Sequence, residues 1–117
     1  MAAVKIYHNP RCSKSRQTLE LLQQHGIEPE VVEYLKAVPS TAEITTLLHQ
    51  LGFTSARELM RSKEEAFKAQ NLDQVTDEAA LIQAMHEHPK LIERPIVVVG
   101  ERARLGRPPE AVLDILP

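Results

Sequence analysis

Apolar positions along this chain alternate between short strand-like runs and stripes with helical spacing. Residues 5–7 have the pattern of a short strand, and residues 13–25 then carry leucines at helical intervals up to Gly26, a residue type that commonly ends helices. Residues 30–34 are rich in β-branched side chains, which favour a second strand. This order predicts a β-α-β unit, in which a right-handed crossover makes the two strands parallel.

The middle of the chain, at about residues 40–90, is predicted to be a helical insertion. A hydroxyl followed three residues later by a carboxylate has the spacing of a helix capping box. This spacing begins at Ser40, Ser55 and Ser62. The first box precedes a helical apolar stripe that ends at Gly52, and the other two predict short helices. The stripe consists of Ile44, Leu47, Leu48 and Leu51.

A further helix is predicted to begin near Thr76 and to stop before Pro89. Asp77 and Glu78 would lie in its first turn, where negative charge is favourable. The side chains that it is expected to bury are Leu81, Ile82 and Met85.

The end of the chain returns to strand patterns. Residues 94–100 place four consecutive β-forming residues after a proline, which predicts a buried strand, and residues 102–105 can return as its antiparallel partner. Pro108 or Pro109 opens a final predicted helix over residues 110–116. The chain therefore predicts one α/β domain over residues 1–117, with a mixed four-stranded sheet in the order β-α-β, then β-β-α.

Cys12 is the only cysteine and lies between the first predicted strand and the first predicted helix. The N–H groups and the positive dipole end of a helix N-terminus favour thiolate, the nucleophilic form of cysteine. A free cysteine is also commonly a small buried hydrophobe, but the neighbours here include Arg11, Lys14 and Arg16, which favour a reactive thiol. Ser15 stands where a C-x-x-C pair would have its second cysteine, so the chain cannot form a disulfide within itself.

Composition narrows the classes of function. Fourteen basic and sixteen acidic residues give a net charge of -2, which argues against a domain-wide nucleic-acid surface. No apolar run is long enough to span a membrane, and residues 1–5 have no signal-peptide layout. One unpaired cysteine fits a reducing compartment, so a cytoplasmic location is expected. His86 and His88 point apart on a helix, and without further spaced ligands no metal site is expected.

Four segments carry a resemblance to a known family. They read IYHNPRCSKSR (residues 6–16), RELMR (57–61), LIERPIVV (91–98) and RLGRP (104–108), and VLDIL follows at 112–116. In this order and spacing they closely resemble the glutaredoxin-linked arsenate reductases, the ArsC family. The resemblance implies a thioredoxin-like fold with a helical insertion. It also implies reduction of arsenate to arsenite with glutathione as co-substrate and glutaredoxin as protein partner, without a bound cofactor.

The resemblance also implies roles for six residues. It assigns attack on arsenate to Cys12 and binding of the oxyanion to three arginines, which are Arg61, Arg94 and Arg107. It assigns support of the thiolate to His8 and Ser15, and it implies a cis peptide bond before Pro95. From the residues alone, Arg61 on a helix would be an ordinary surface charge, and His8 could equally be a loop histidine bonded to backbone. We expect Arg57, Arg102 and Arg104 to be surface charges.

The implied mechanism begins when the Cys12 thiolate attacks arsenic and expels water. Glutathione then attacks the adduct, a glutaredoxin reduces the mixed species, and arsenite leaves. Arginine suits the oxyanion because its planar fork donates two hydrogen bonds and stays charged. A monomer is expected. Two departures from other members are visible: some extend well past the position of Pro117, and some carry a cysteine where this chain has Gly106.

Three alternatives remain open at the level of sequence. A Spx-like regulator that binds RNA polymerase shares the fold, but redox-sensing members carry C-x-x-C, which Ser15 interrupts. A thiol-disulfide oxidoreductase acting on glutathionylated substrates would need no cluster of arginines. A reductase of a different oxyanion cannot be separated from an arsenate reductase by these residues.

Overall fold

A computed structural model describes residues 3–117 of the chain. The strands are β1 (Val4–His8), β2 (Glu30–Glu33), β3 (Ile96–Val99) and β4 (Arg102–Leu105). The α-helices are α1 (Ser13–Gln24), α2 (Thr41–Leu51), α3 (Glu65–Ala69) and α4 (Glu78–Glu87). Four 3-10 helices cover Ala56–Leu59, Leu72–Gln74, Pro89–Leu91 and Pro109–Ile115.

These elements form two compact units. The first combines the described residues up to Ala37 with Arg94–Pro117 and contains the whole sheet together with α1. The second is Val38–Glu93, which contains helices and no strand among the elements above. The helical insertion predicted at about residues 40–90 corresponds to this second unit. The grouping of residues 1–117 as one domain stays a prediction.

The sheet has the predicted mixed topology. Its strand order is β2-β1-β3-β4, with β1 parallel to β2 and antiparallel to β3, and with β3 antiparallel to β4. His8 pairs with Glu33 at the end of the parallel ladder, and Ile6 pairs with Val97 in the antiparallel one. The α/β, thioredoxin-like fold is thereby confirmed. Because β1 and β3 are central neighbours, the segments that follow β1 and precede β3 meet at one end of the sheet.

The core of the sheet unit forms where α1 and the final 3-10 helix cover apolar strand residues. Its buried members are Ile6, Leu22, Val97, Val99, Val112 and Ile115. Leu19 and Leu21 are partly buried against this cluster. Burying a residue such as Leu or Val contributes about 1.5–3 kcal/mol, so this cluster stabilises the frame on which the loop after β1 is mounted.

Two of the three predicted capping boxes are present in the helical unit. Ser40 accepts a hydrogen bond from Glu43 N–H at 3.1 Å while the Glu43 carboxylate accepts Ser40 N–H at 3.0 Å, and α2 ends at Gly52 in the left-handed conformation. The second box, Ser55 with Glu58, opens a 3-10 helix. The prediction of a capping box at Ser62 was wrong. Helix α3 begins only at Glu65.

Arg61 and Glu64, rather than Ser62, hold the turn before α3. Glu64 N–H donates to the Arg61 carbonyl at 3.3 Å, and the Glu64 carboxylate pairs with Arg61 Nε at 3.3 Å. Glu64, in an extended conformation, therefore stands at the N-cap position of α3.

The last two predicted helices differ from the structure in detail. Helix α4 begins at Glu78, with Asp77 outside it as a cap that accepts Ala79 N–H at 3.2 Å, and Ile82 is only half-buried. The final helix over 110–116 is a 3-10 helix at Pro109–Ile115. Its buried side chains are Pro109, Val112 and Ile115. Their spacing of three matches the three residues per turn of a 3-10 helix, so the three side chains share one face.

Arg57 is not the surface charge that its sequence context predicts. Its side chain is half-buried, and Nη2 donates to the Leu72 carbonyl at 2.7 Å and to the Val75 carbonyl. The Asp73 carbonyl lies at 3.4 Å from the same nitrogen. One guanidinium thus satisfies the carbonyls at the turn around Leu72–Gln74, which α4 follows. By contrast, Arg102 is exposed as predicted.

Replacing Arg57 by alanine should therefore destabilise the fold. Hydrogen bonds from a charged donor contribute about 1.5–3 kcal/mol, and the carbonyls would lose their partner. We expect Arg57→Ala to lower the free energy of unfolding in urea by about 2 kcal/mol. Arg102→Ala is the matched control and should change it by less than about 0.5 kcal/mol. Equal unfolding midpoints for the two variants would contradict a structural role for Arg57.

Candidate active site

Cys12 stands at the N-cap position of α1, directly after a tight turn that leaves β1. The Cys12 N–H donates to the Asn9 carbonyl at 3.0 Å, and the Asn9 side chain accepts Arg11 N–H at 3.0 Å. Arg16 lies one turn into the helix, and its N–H donates to the Cys12 carbonyl at 3.0 Å while its Nη1 donates to the Pro10 carbonyl at 2.9 Å. These bonds fix the backbone on both sides of the sulfur.

The surroundings of Cys12 are electropositive. Helix α1 has twelve residues and no acidic residue in its first turn, so the positive end of its dipole is uncompensated at Cys12. The residue is nearly buried, at 9% exposure. The sulfur is thus shielded from most of the bulk water next to the N-terminus of α1.

Arg107 supplies a guanidinium directly to this sulfur. Its Nη2 donates to Cys12 Sγ at 3.7 Å, and its Nε donates to the Arg94 carbonyl at 2.9 Å. The second bond orients the planar fork, because two nitrogens of one rigid group are then held. The structure therefore brings Cys12, Arg107 and the Arg94 backbone together, and the Arg94 side chain is half-buried.

Close packing at Gly106 sets the path of the segment that carries Arg107. A Cβ at Gly106 would lie 2.4 Å from Thr18 Oγ1 and 2.7 Å from Pro95 Cγ, so only glycine fits without a shift. Gly106 N–H also donates to the Pro95 carbonyl at 3.0 Å. The peptide bond before Pro95 is cis, as predicted, and the bond before Pro108 is cis as well. The α1 face, the start of β3 and the end of β4 are thus in direct contact next to Arg107.

Thr18 and Gly106 are the structural residues that sequence reasoning missed. Thr18 is fully buried, and its hydroxyl donates to the Lys14 carbonyl at 2.8 Å. A threonine inside a helix carries no recognisable signal for such a contact. Gly106 did carry one, since it directly precedes a predicted site arginine and is not needed as a helix end.

His8 and Ser15 form a buried pair behind the cysteine loop. His8 Nδ1 lies 2.6 Å from Ser15 Oγ, and the same oxygen accepts Asn9 N–H at 3.0 Å. Both residues are buried, and Ser15 is completely so. The hydrogen bonds of Ser15 therefore tie β1 and the loop to α1. Direct support of the thiolate by Ser15 stays a prediction.

Burial controls the charge of His8. The cost of desolvating an imidazolium lowers the pKa of His8 below its usual 6.5. Glu33, its register partner on β2, opposes this effect by raising the pKa, and Arg16 adds to the lowering. Near neutral pH, His8 is accordingly a neutral imidazole that orients Ser15 rather than an imidazolium.

Arg61 lies in the helical unit and is held by two carboxylates. Its Nε is 3.3 Å from Glu64 Oε1, and its Nη1 is 3.2 Å from Glu93 Oε1. The backbone is fixed too, because Arg61 N–H donates to the Leu91 carbonyl at 2.7 Å. Arg61 is therefore a paired, three-quarters buried arginine, and its role toward an oxyanion stays a prediction.

Residues 3–117 contain neither a candidate metal site nor a candidate membrane-spanning helix. No group of three or more His, Cys, Asp or Glu side chains there could hold a metal ion. None of the helices in this part of the chain has both the length and the apolar character to cross a membrane.

Fold and site together define a thioredoxin-like protein with one cysteine at a helix N-terminus and an arginine in contact with the cysteine sulfur. Residues 7–115 match the ArsC family, and the chain belongs to that family. It is 60% identical over 114 residues to the uncharacterised protein YfgD of Escherichia coli, covering 97% of this chain and 96% of that one. It is 49% identical to the arsenate reductase of Haemophilus influenzae, covering 97% and 99% of the two chains.

A solved structure agrees with this assignment. The arsenate reductase from Vibrio cholerae superimposes with a TM-score of 0.96 at 55% identity, covering 98% of each chain.

The Gly106 contact leads to a test by double mutation. Gly106→Ala should lower the free energy of unfolding by about 1–3 kcal/mol, because overpacking forces Thr18 or Pro95 to move. It should also slow alkylation of Cys12 by iodoacetamide at neutral pH. The reason is that a shift of residue 106 also moves its neighbour Arg107, which contacts Cys12 Sγ. Thr18→Ala removes one clashing side chain. The double variant should therefore recover part of the loss, and strictly additive effects would contradict the contact.

The His8 environment predicts a pH dependence of stability. Above about pH 6.5 the histidine is neutral in both the folded and the unfolded state. As pH falls below this value, the unfolded state takes up the proton first, so the free energy of unfolding decreases toward the lower folded-state pKa. Urea titrations at pH 7.5 and 5.5 should show a smaller loss in His8→Gln than in the native protein.

His25→Gln is the matched control, because His25 is exposed at the end of α1. This variant should retain the native pH dependence. An NMR titration of the His8 ring that gave a pKa at or above 6.5 would refute the assignment of a neutral, buried imidazole.

Proposed function

We propose that this protein is an oxidoreductase that reduces arsenate to arsenite through a Cys12 thiol-arsenate adduct, which glutathione and glutaredoxin resolve. The single observation that carries the proposal is the contact of Arg107 Nη2 with Cys12 Sγ at 3.7 Å, made by an arginine already oriented on the Arg94 carbonyl. Membership in the ArsC family and the names of the relatives in Haemophilus influenzae and Vibrio cholerae support arsenate as the substrate.

Charge explains why an arginine is needed on the sulfur. Arsenate is a tetrahedral oxyanion with one to two negative charges near neutral pH, and a thiolate that approaches it adds another. A guanidinium in contact with the sulfur offsets this repulsion and offers donors to the oxygens. The N–H groups at the start of α1 add further donors for an anion.

The arginines and the buried pair then have distinct proposed roles. Arg107 and Arg94 bind the oxyanion in the sheet unit, and Arg61 is assigned to the same role through the family resemblance. His8 and Ser15 lie behind the loop, where their hydrogen bonds hold Asn9 against the start of α1.

The number of cysteines decides how the reaction must finish. Attack by Cys12 on arsenic forms a sulfur–arsenic bond and releases one arsenate oxygen as water. Reduction of arsenic(V) to arsenic(III) takes two electrons, which come from two thiolates joined as one disulfide. Cys12 is the only thiol in the chain, so the second thiol comes from outside. Glutathione meets this need, and glutaredoxin returns Cys12 to the thiol.

The proposal predicts arsenate-dependent oxidation of NADPH when the protein is combined with glutathione, glutathione reductase and a glutaredoxin. Cys12→Ser should abolish turnover, because it removes the nucleophile. Arg107→Ala and Arg94→Ala should raise the KM for arsenate about tenfold or more, as expected from the loss of a charge-assisted hydrogen bond. Arg102→Ala, an exposed arginine on β4, is the matched control and should retain native kinetics.

Turnover that persists in Cys12→Ser would sink the mechanism. A folded native protein that alkylates at Cys12 but never turns over arsenate would instead point to a different oxyanion or to a protein partner.

A further inference from the structure

Asn9 is hydrogen-bonded through its side chain and through both of its backbone groups. Its side-chain Oδ1 accepts the Arg11 N–H at 3.0 Å, and its carbonyl accepts the Cys12 N–H at 3.0 Å. Its own N–H donates at 3.0 Å to Oγ of Ser15, a completely buried residue of α1. One half-buried residue between β1 and α1 thus contacts the loop, the nucleophile and the helix.

The bond to Cys12 closes a four-residue turn. It joins Asn9, the first residue of the turn, to the fourth, with Pro10 and Arg11 between them. Asparagine is favoured at the first position of such a β-turn and proline at the second. The side-chain bond to the Arg11 N–H adds a second hydrogen bond inside the same turn. Asn9 therefore holds two successive N–H groups, those of Arg11 and Cys12.

The Asn9 side chain holds this turn without occupying the donors at the start of α1. An asparagine near a helix start commonly accepts an N–H of the first helical turn as a cap. Here Oδ1 is bonded to Arg11, which precedes the helix, and Cys12 at the N-cap position makes no side-chain cap. These two side chains therefore leave the N–H groups of the first turn to an anion beside the sulfur.

The neutrality of this acceptor matters as much as its position. An aspartate would accept the same Arg11 N–H, and its charge would make the bond stronger. It would also place a negative charge three residues before Cys12, at the end of α1 that has no acidic residue in its first turn. Such a charge repels both a thiolate and an incoming oxyanion. An amide oxygen holds the turn without this repulsion.

We propose that Asn9 is a positioning residue of the reaction: its amide oxygen fixes the turn that presents Cys12, and its lack of charge preserves the attraction of the site for anions. Asn9 acts through the backbone of Cys12 and not by contact with the oxyanion. Its part in arsenate reduction rests on the proposed function, whereas its effect on the reactivity of Cys12 is measured without arsenate.

Alkylation of Cys12 by iodoacetamide at neutral pH tests the positioning role. Asn9→Ala should lower the rate about fivefold, as expected from the loss of one side-chain acceptor on a backbone N–H. Asp77→Ala is the matched control, because the Asp77 side chain accepts the Ala79 N–H at 3.2 Å, two residues further on, at the N-cap of α4. This control loses the same kind of bond elsewhere and should alkylate at the native rate. Equal rates in the two alanine variants would overturn the assignment.

Asn9→Asp separates position from charge, and it decides the question even if Asn9→Ala fails to fold. It keeps an acceptor for the Arg11 N–H but adds a charge. Alkylation should therefore be slow at low salt and recover to near the native rate at about 1 M salt, where the Debye length is only about 3 Å. The deficit of Asn9→Ala should persist at both salt concentrations, because it is not electrostatic. An Asn9→Asp rate that equals the native one at low salt, or that stays low at high salt, would refute the proposal.

Turnover separates this inference from the proposed function. In the coupled arsenate assay, Asn9→Ala should lower kcat about fivefold and change the KM for arsenate less than about twofold, because the arginines remain in place. An effect on the KM alone would contradict a positioning role. If the native protein reduces no arsenate, the reductase proposal fails, while alkylation of the variants still decides the role of Asn9.

Discussion

The guanidinium of Arg107 joins the two segments on which the site depends. Its Nε donates to the Arg94 carbonyl just before β3, and its Nη2 donates to Cys12 Sγ just after β1. These segments are about eighty residues apart in sequence, and they meet because β1 and β3 are neighbours in the sheet. β4, paired with β3, then delivers Arg107 from the opposite direction. Strand order thus converts three distant stretches of chain into one electropositive site.

Tight packing behind the site keeps this arrangement rigid. Gly106 lies so close to Thr18 and Pro95 that a single methyl group would not fit. On the other side of the loop, the short contact between His8 and Ser15 ties the end of β1 to α1. Both contacts involve buried groups, where polar atoms must be paired and volumes must match. This requirement gives a physical reason for a glycine at position 106.

A single nucleophile shapes the rest of the proposed chemistry. With one cysteine, the protein can bind and attack an oxyanion but cannot supply both electrons for its reduction. The sheet unit meets the first need with Arg107 and the start of α1, and the second thiol comes from another molecule. The partly buried ion pairs of Arg61 in the helical unit show a different use of arginine, in which carboxylates fix the guanidinium.

The sequence by itself determined the element order, the position of the lone cysteine before α1 and the parallel and antiparallel pairings, because these follow from local periodicity and from the handedness of crossovers. It also indicated most site residues, although through resemblance rather than spacing. Only the tertiary structure decided that Arg57 is buried on the carbonyls around Leu72, that Ser62 caps nothing, and that the last helix is 3-10. Each of these outcomes depends on which distant carbonyl, carboxylate or apolar surface lies within reach, and local patterns along a chain do not contain that information.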